Sequence, residues 1–186
     1  MQIRLRRRQD PVIPDIATEY VATIDVEVSE PLETGHGALG NRRLIPIVRG
    51  HVKGPKIDAV VLEGGADSQI VRPDGSIELS ARYMFKTVDG AVIYVENNGI
   101  RRSLEDAERL RLLSLAAANG SEDTASKVQK DAQTDVQASV QNATYFRTAP
   151  RFETAHPGYR WLTNRIHVAT AVRFPDRVLI HVYRVL

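Results

Sequence analysis

The stretch Ile77–Gly99, IELSARYMFKTVDGAVIYVENNG, decides how this chain folds. Two alternating runs, Ile77 to Val88 and Ala91 to Asn98, flank Asp89-Gly90. Alternation at period two marks a strand, and Asp-Gly favours a two-residue type I′ hairpin turn. In that register Val88 opposes Ala91, Phe85 opposes Tyr94, and Arg82 opposes Asn97. One face then carries Arg82, Met84, Lys86, Ile93, Val95 and Asn97. The other carries Ala81, Tyr83, Phe85, Thr87, Val92, Tyr94 and Glu96. Each face mixes apolar bulk with polar groups, which a sheet with one dry and one wet side would separate. The expectation is a sheet with one face lining a closed interior. The other face is then partly covered by a helix, an arm or a second subunit.

The flanking sequence repeats the strand pattern. Tyr20, Ala22, Ile24, Val26 and Val28 share one face of a half-buried strand. Residues 29–41 read as a loop, and Leu44 to Val52 as a strand that Pro46 bends or places at an edge. Ile57 to Glu63 and Gln69 to Arg72 are further strands, the latter closed by the turn Pro73-Asp74-Gly75. The pattern resumes at Tyr145 to Thr154, is interrupted by Pro150, and continues through Trp161 to Asn164 into Ile166 to Arg173. Val178 to Leu186 closes the chain. Eight or nine short strands at this spacing predict a mainly β, single antiparallel domain over residues 19–186, a β-barrel or a sandwich. Residues 1–18, with Pro11 and Pro14, read as an N-terminal arm. The segment 103–144 reads as an insert before the strand starting near Tyr145. Ser103 and Asp106 open a helix with Leu104, Ala107, Leu110 and Leu113 at helical spacing, and a second helix or a linker follows.

Composition excludes several classes. The chain has 186 residues, 42% of them hydrophobic, and a net charge of +2. There is no cysteine, so disulfides and thiolate metal sites are ruled out. No run approaches the ~20 apolar residues of a membrane-spanning helix, and the N-terminus has no apolar signal core. The expected location is the cytoplasm. The Arg4–Arg8 cluster RLRRR is read as a solvated terminus, so no nucleic-acid partner is expected. His36, His51, His156, His167 and His181 show no metal-ligand spacing, and there is no phosphate loop or dinucleotide fingerprint. No metal and no cofactor are expected.

Several blocks carry a family likeness. They are Arg42-Arg43, Pro46-Ile47, Gly54-Pro55, Gly64-Gly65-Ala66-Asp67, Arg72-Pro73-Asp74-Gly75, Ala81-Arg82-Tyr83, Asp89-Gly90-Ala91, Ile93-Tyr94-Val95, Asn97 and Gly99. Downstream they are Tyr145-Phe146-Arg147-Thr148, Pro150, Phe152-Glu153-Thr154, Tyr159, Trp161-Leu162 and Asn164. Together they resemble the family known as domain of unknown function 3237, or uncharacterised protein family 0311. The likeness spans about residues 20–101 and 145–186 and implies a compact antiparallel β-barrel-like fold, with no established reaction. Ser68 stands where that family commonly has an aromatic, Ser80 where it has an acidic residue, and 103–144 is longer than its usual connection.

Candidate chemistry comes from polar residues among aromatics on strands expected to face inward. Asp67 follows three small residues and is the candidate proton carrier, alternatively an ion-pair partner for Arg72 or Arg82. Arg82 and Arg147 are candidate anion clamps. Tyr94 or Tyr83 is the candidate group for stabilising a transition state, and Tyr83, Asn97, Tyr145, Arg147 and Trp161 are candidate ligand contacts. For each of these a structural role in core or surface is the competing reading. The function expected is binding of a small hydrophobic or aromatic acid, with cofactor-free lyase, isomerase or cyclase chemistry. The alternatives are a non-catalytic carrier barrel and a structural or assembly module, the last expecting no hollow of roughly 300 Å3 or more. Apolar residues on both hairpin faces motivate a homodimer.

Overall fold

The computed structural model describes residues 15–103 and 144–186; the expected arm up to residue 14 and the helices expected within 104–143 lie outside the described residues. The strands are β1 (Thr18–Val28), β2 (Leu32–Gly37), β3 (Gly40–Gly54), β4 (Ile57–Val61), β5 (Ala66–Val71), β6 (Ile77–Thr87), β7 (Val92–Ser103), β8 (Thr144–Glu153), β9 (His167–Arg173) and β10 (Arg177–Val185). A 3-10 turn, Pro157–Tyr159, and a one-turn helix α1, Arg160–Thr163, precede β9. All pairings are antiparallel.

The sheet closes on itself. From β1 it passes through β10, β9, β8, β7 and β6, then β4 and β5, then β3, which pairs back to β1. Strands β4 and β5 lie end to end between β3 and β6, so nine strands occupy eight positions around the barrel. β2 pairs only with β3 and is exposed throughout. Residues 29–41 were expected to be a loop; instead β2 and the start of β3 form a hairpin there. With no residue to bury, β2 shows no apolar alternation that could announce it.

The central hairpin departs from the expected register by one residue. Phe85 opposes Ile93 and Arg82 opposes Glu96, not Tyr94 and Asn97. The connection is a three-residue loop, Val88-Asp89-Gly90, with Gly90 at φ 89° and Thr87 N donating to the Ala91 carbonyl. A type I turn followed by a left-handed glycine accepts Asp-Gly as well as a two-residue turn does. Thr87 secures it, accepting from Ala91 N at 2.8 Å and donating to Asp89 Oδ1 at 2.5 Å. One residue of slip moves a strand's whole side-chain set to the opposite face. The expected mixing therefore disappears. Ala81, Tyr83, Phe85 and Thr87 face inward with Ile93, Val95 and Asn97, while Arg82, Met84, Lys86, Val92, Tyr94 and Glu96 face out.

Smaller corrections follow the same logic. A bulge at Val21 turns Tyr20 outward, and Val21, Ala22, Ile24 and Val26 are buried. Pro150 does not interrupt β8, whose pairing with β9 is confined to Arg147 and Thr148, ahead of the proline. Trp161 to Asn164, expected as strand, is instead α1 and its C-terminal residue. That helix buries Leu162 at one end of the barrel, beside an edge-to-face series of Phe85, Phe152 and His167. Tyr159 fastens this segment to the β6–β7 turn by donating to Asp89 Oδ1 at 2.9 Å. This end is plugged, and the polar interior lies toward the other.

Candidate functional site

Inward residues on each strand are ordered by depth. On β7 they run Ile93, Val95, Asn97, Gly99 and Arg101, from plugged end to mouth. On β6 the same direction gives Phe85, Tyr83, Ala81 and Leu79, and on β8 Phe152, Pro150, Thr148 and Phe146. Above the plug lies a hollow of ≈ 50 Å3; the empty space between its walls reaches ≈ 590 Å3 when the solvent-open mouth is included. Its walls are largely apolar, from Val26, Val28, Ile45, Ile47, Val178 and Ile180. Its polar groups are Asp67, Gln69, Tyr83, Asn97, Arg101, Thr148 and Arg173. At ≈ 50 Å3 the hollow exceeds the ~10–15 Å3 that one water needs and is far below the ~300 Å3 of a drug-sized pocket.

Asp67 is held on both oxygens. Gln69 Nε2 donates to Oδ2 at 2.5 Å, and the Ser80 backbone N–H donates to Oδ1 at 3.0 Å. Gln69 is itself oriented by Arg43, whose Nε donates to Gln69 Oε1 at 2.7 Å. Burial pushes the Asp67 carboxyl above the usual aspartate value, against those hydrogen bonds and the charges of Arg43 and Arg101. Three polar atoms on residues lining the hollow have no such partner. Tyr83 is 3%, Asn97 3% and Thr148 7% exposed. Yet Tyr83 Oη, Asn97 Oδ1 and Thr148 Oγ1 each lack a hydrogen-bond partner. Native interiors rarely leave buried polar groups unpaired, and three on residues that line one hollow is a concentration that calls for a cause. Arg173 lines the same space, with Nη1 and Nη2 donating to the carbonyls of Arg177 and Pro175. Its burial lowers its basicity, yet it remains a cation.

The expected site residues divide. Asp67, Tyr83 and Asn97 meet in the hollow. Arg82 does not: it lies on the outer face, bonded to Ser80 Oγ at 3.0 Å and Glu96 at 3.2 Å. Tyr94 also faces outward, carried there by the register slip. Tyr145 is 56% exposed and stacks beneath Arg147, whose guanidinium lies 5.2 Å from the ring centroid outside the barrel. Trp161 sits at the plugged end, beside Tyr20, Pro55 and Arg184. Arg82 therefore forms no ion pair with Asp67. Gln69, Arg101, Thr148 and Arg173 were not singled out from sequence. For Thr148 and Arg101 the usable signal was parity with Asn97 once the register is right; for Arg173 no local signal exists. Among the described residues no group of three His or acidic side chains is placed to hold a metal. No helix among them is long and apolar enough to cross a membrane.

Residues 16–185 match the family described as "Protein of unknown function (DUF3237)". The chain belongs to this family. A curated DUF3237-type relative, the UPF0311 protein RPA1785 of Rhodopseudomonas palustris, is 43% identical over 93% of this chain and 99% of its own length. A solved "beta-barrel like protein" of Acinetobacter baumannii is 30% identical, with TM-score 0.73 over 96% of this chain and all of that one. A structure described as "an enzyme from Penicillium herquei" shares the fold at TM-score 0.61, with 16% identity over 98% of this chain and all of that one.

Two of the blocks carrying the DUF3237 likeness build the hollow. A Cβ on Gly99 would stand 2.5 Å from Thr148 Cγ2 and closer still to the Arg147 carbonyl, so glycine there lets Thr148 point inward. Gly65 similarly leaves no space for a side chain against Tyr83. Gly65 and Gly99 thus set where Tyr83 and Thr148 can stand. Ser68 and Ser80, two of the three departures from the family pattern, oppose each other on the outer face and not in the hollow.

Proposed function

We propose that the mouth-end hollow binds a small hydrophobic or aromatic acid, and that Asp67 carries a proton to and from it. One observation carries this reading: three buried, unpartnered polar atoms share a hollow with a carboxyl whose pKa is raised. Raising a carboxyl toward neutrality makes it a better proton carrier at physiological pH. The unpartnered hydroxyls of Tyr83 and Thr148 are donors placed to receive charge developing on the ligand. Arg43, Arg101 and Arg173 stand around the inward Asp67, with Glu33 4.0 Å from Arg43 and the charges of Asp176 and Glu30 acting on Arg173; such guanidinium groups can take an anionic ligand. They fill the role expected of Arg82 and Arg147. At ≈ 50 Å3 the hollow admits a slender polar group, with the apolar body lodged in the mouth. The fold it shares with a fungal enzyme is compatible with chemistry at this end.

A second reading, a structural module, has the small volume in its favour, since it expects no hollow near 300 Å3. Native mass spectrometry of the freshly purified protein separates the two. The ligand reading expects a small organic acid that copurifies and is lost from Asp67→Asn or Tyr83→Phe. Incubating the recovered acid with protein in heavy water then tests chemistry. Deuterium entering the acid with wild type but not with Asp67→Asn marks an enzyme, and none with either marks a carrier. If no small molecule is retained, and none of a panel of aromatic acids binds, the ligand reading fails.

A further inference from the structure

From the depth order of the polar groups we infer that the ligand is an oxygenated acid bound in one direction, its hydroxyl or carbonyl oxygen at the floor and its carboxylate at the mouth. This deepens the ligand-binding reading above and rests on it. From the floor outward the order is Tyr83, level with Val95, then Asn97, level with Ala81 and so with Asp67, then Thr148, level with Gly99; Tyr83 Oη, Asn97 Oδ1 and Thr148 Oγ1 are buried without partners. A carboxylate pressed into that floor would meet Asp67, and two carboxylates sharing a small dry space repel strongly. The hydroxyls and the amide match a single neutral oxygen instead, which can accept from Tyr83 or Thr148 and, if it is itself a hydroxyl, donate to Asn97.

The cations stand nearer the mouth. Arg101 lies four residues beyond Asn97 on β7, about 13 Å along the strand at ~3.3 Å per residue. Arg173 is the last residue of β9, on the same side of the hollow. Two loop carbonyls hold its guanidinium in place. Carbonyls orient a guanidinium without cancelling its charge, and an incoming carboxylate shares Arg173 with the charges of Asp176, Glu30 and Asp67 that already act on it. Between floor and mouth the walls are apolar, from Val26, Ile45, Ile47, Phe146 and Val178. The sequence from the floor is thus oxygen, apolar body, carboxylate. A plain hydrophobic acid would satisfy Arg173 but leave the floor atoms unpaired, which specificity for polar ligands turns on.

Titration calorimetry on the full chain with three probes tests this: para-hydroxyphenylacetate, phenylacetate and para-hydroxyphenylacetamide. Wild type is expected to bind the hydroxy acid about tenfold more tightly than phenylacetate, and about tenfold more tightly than the amide. Thr148→Val combined with Tyr83→Phe should erase the first preference while leaving phenylacetate affinity within about threefold, as expected when only floor hydrogen bonds are lost. Arg173→Gln should erase the second preference and leave the first. Equal affinity of wild type for the two acids overturns the inference and leaves the acid-binding reading intact. Equal affinity for hydroxy acid and amide overturns the placement of the carboxylate. Failure of all three probes to bind at millimolar concentration sinks the acid-binding reading, and this inference with it. The wild-type comparison needs no variant to fold.

Discussion

Replacing Tyr83 by Phe should make the ligand-free protein more stable, which is the reverse of what deleting a buried hydrogen-bonding group usually does. The ring is buried in the core cluster with Phe85 and Val95, and Phe keeps those contacts. Only the hydroxyl goes, and it has no hydrogen-bond partner. An unpaired buried hydroxyl costs about 1–3 kcal/mol relative to water. Burial, and after it the nearby Asp67 charge, push its pKa up, so it stays protonated and gains nothing by ionising. Removing it should therefore raise the unfolding free energy by about 1–2 kcal/mol. For a chain of this size, each kcal/mol shifts Tm by about 2–4 °C, so a rise of about 2–8 °C is expected. Urea melts of dialysed, ligand-free protein, followed by circular dichroism, should show a higher midpoint with an unchanged slope. Thr148→Val, nearly equal in volume, should act in the same direction. A Tm lowered by more than about 2 °C in both variants would refute the reasoning, because it would mean that the floor atoms are already paired in the resting protein.

Gly99→Ala should destabilise by about 2–3 kcal/mol in urea melts, since its Cβ has no room beside Thr148 and the Arg147 carbonyl. Gly64→Ala, in open space but at φ 93°, should cost only about 1 kcal/mol. Asp67 has a folded pKa above its unfolded value of 3.8, so the native state holds its proton to higher pH. Wild-type stability should then fall relative to Asp67→Asn as pH rises from about 4 through the raised folded pKa, and midpoints measured across that range check it. His167 runs the opposite way. Burial lowers its pKa below 6.5, so the unfolded state binds the proton first. Stability that is present above about pH 6.5 should be lost as pH falls toward the folded pKa, and His167→Leu should flatten that slope in Tm measured from about pH 7.5 to 5.

Period-two alternation in short runs between Gly, Pro and Asp turns was enough to predict an antiparallel barrel or sandwich, because a strand's side-chain period is local and survives in the sequence; the family likeness chose the barrel. So was the presence of Asp67, Tyr83 and Asn97 among the candidates. Register was not legible. Asp89-Gly90 fits either a two- or a three-residue loop, and the choice is made by which faces find a dry interior once eight positions close. That single choice sent Tyr94 and Arg82 outward and brought Asn97 onto the inner face with Tyr83, one inward position nearer the mouth. Arg173 was beyond reach for a different reason: its place in the hollow depends on pairing between β9 and β10 and on closure through β1, contacts distant in sequence. Local chemistry specifies the strands, whereas the free energy of burying one face of all of them together specifies which polar atoms share the hollow.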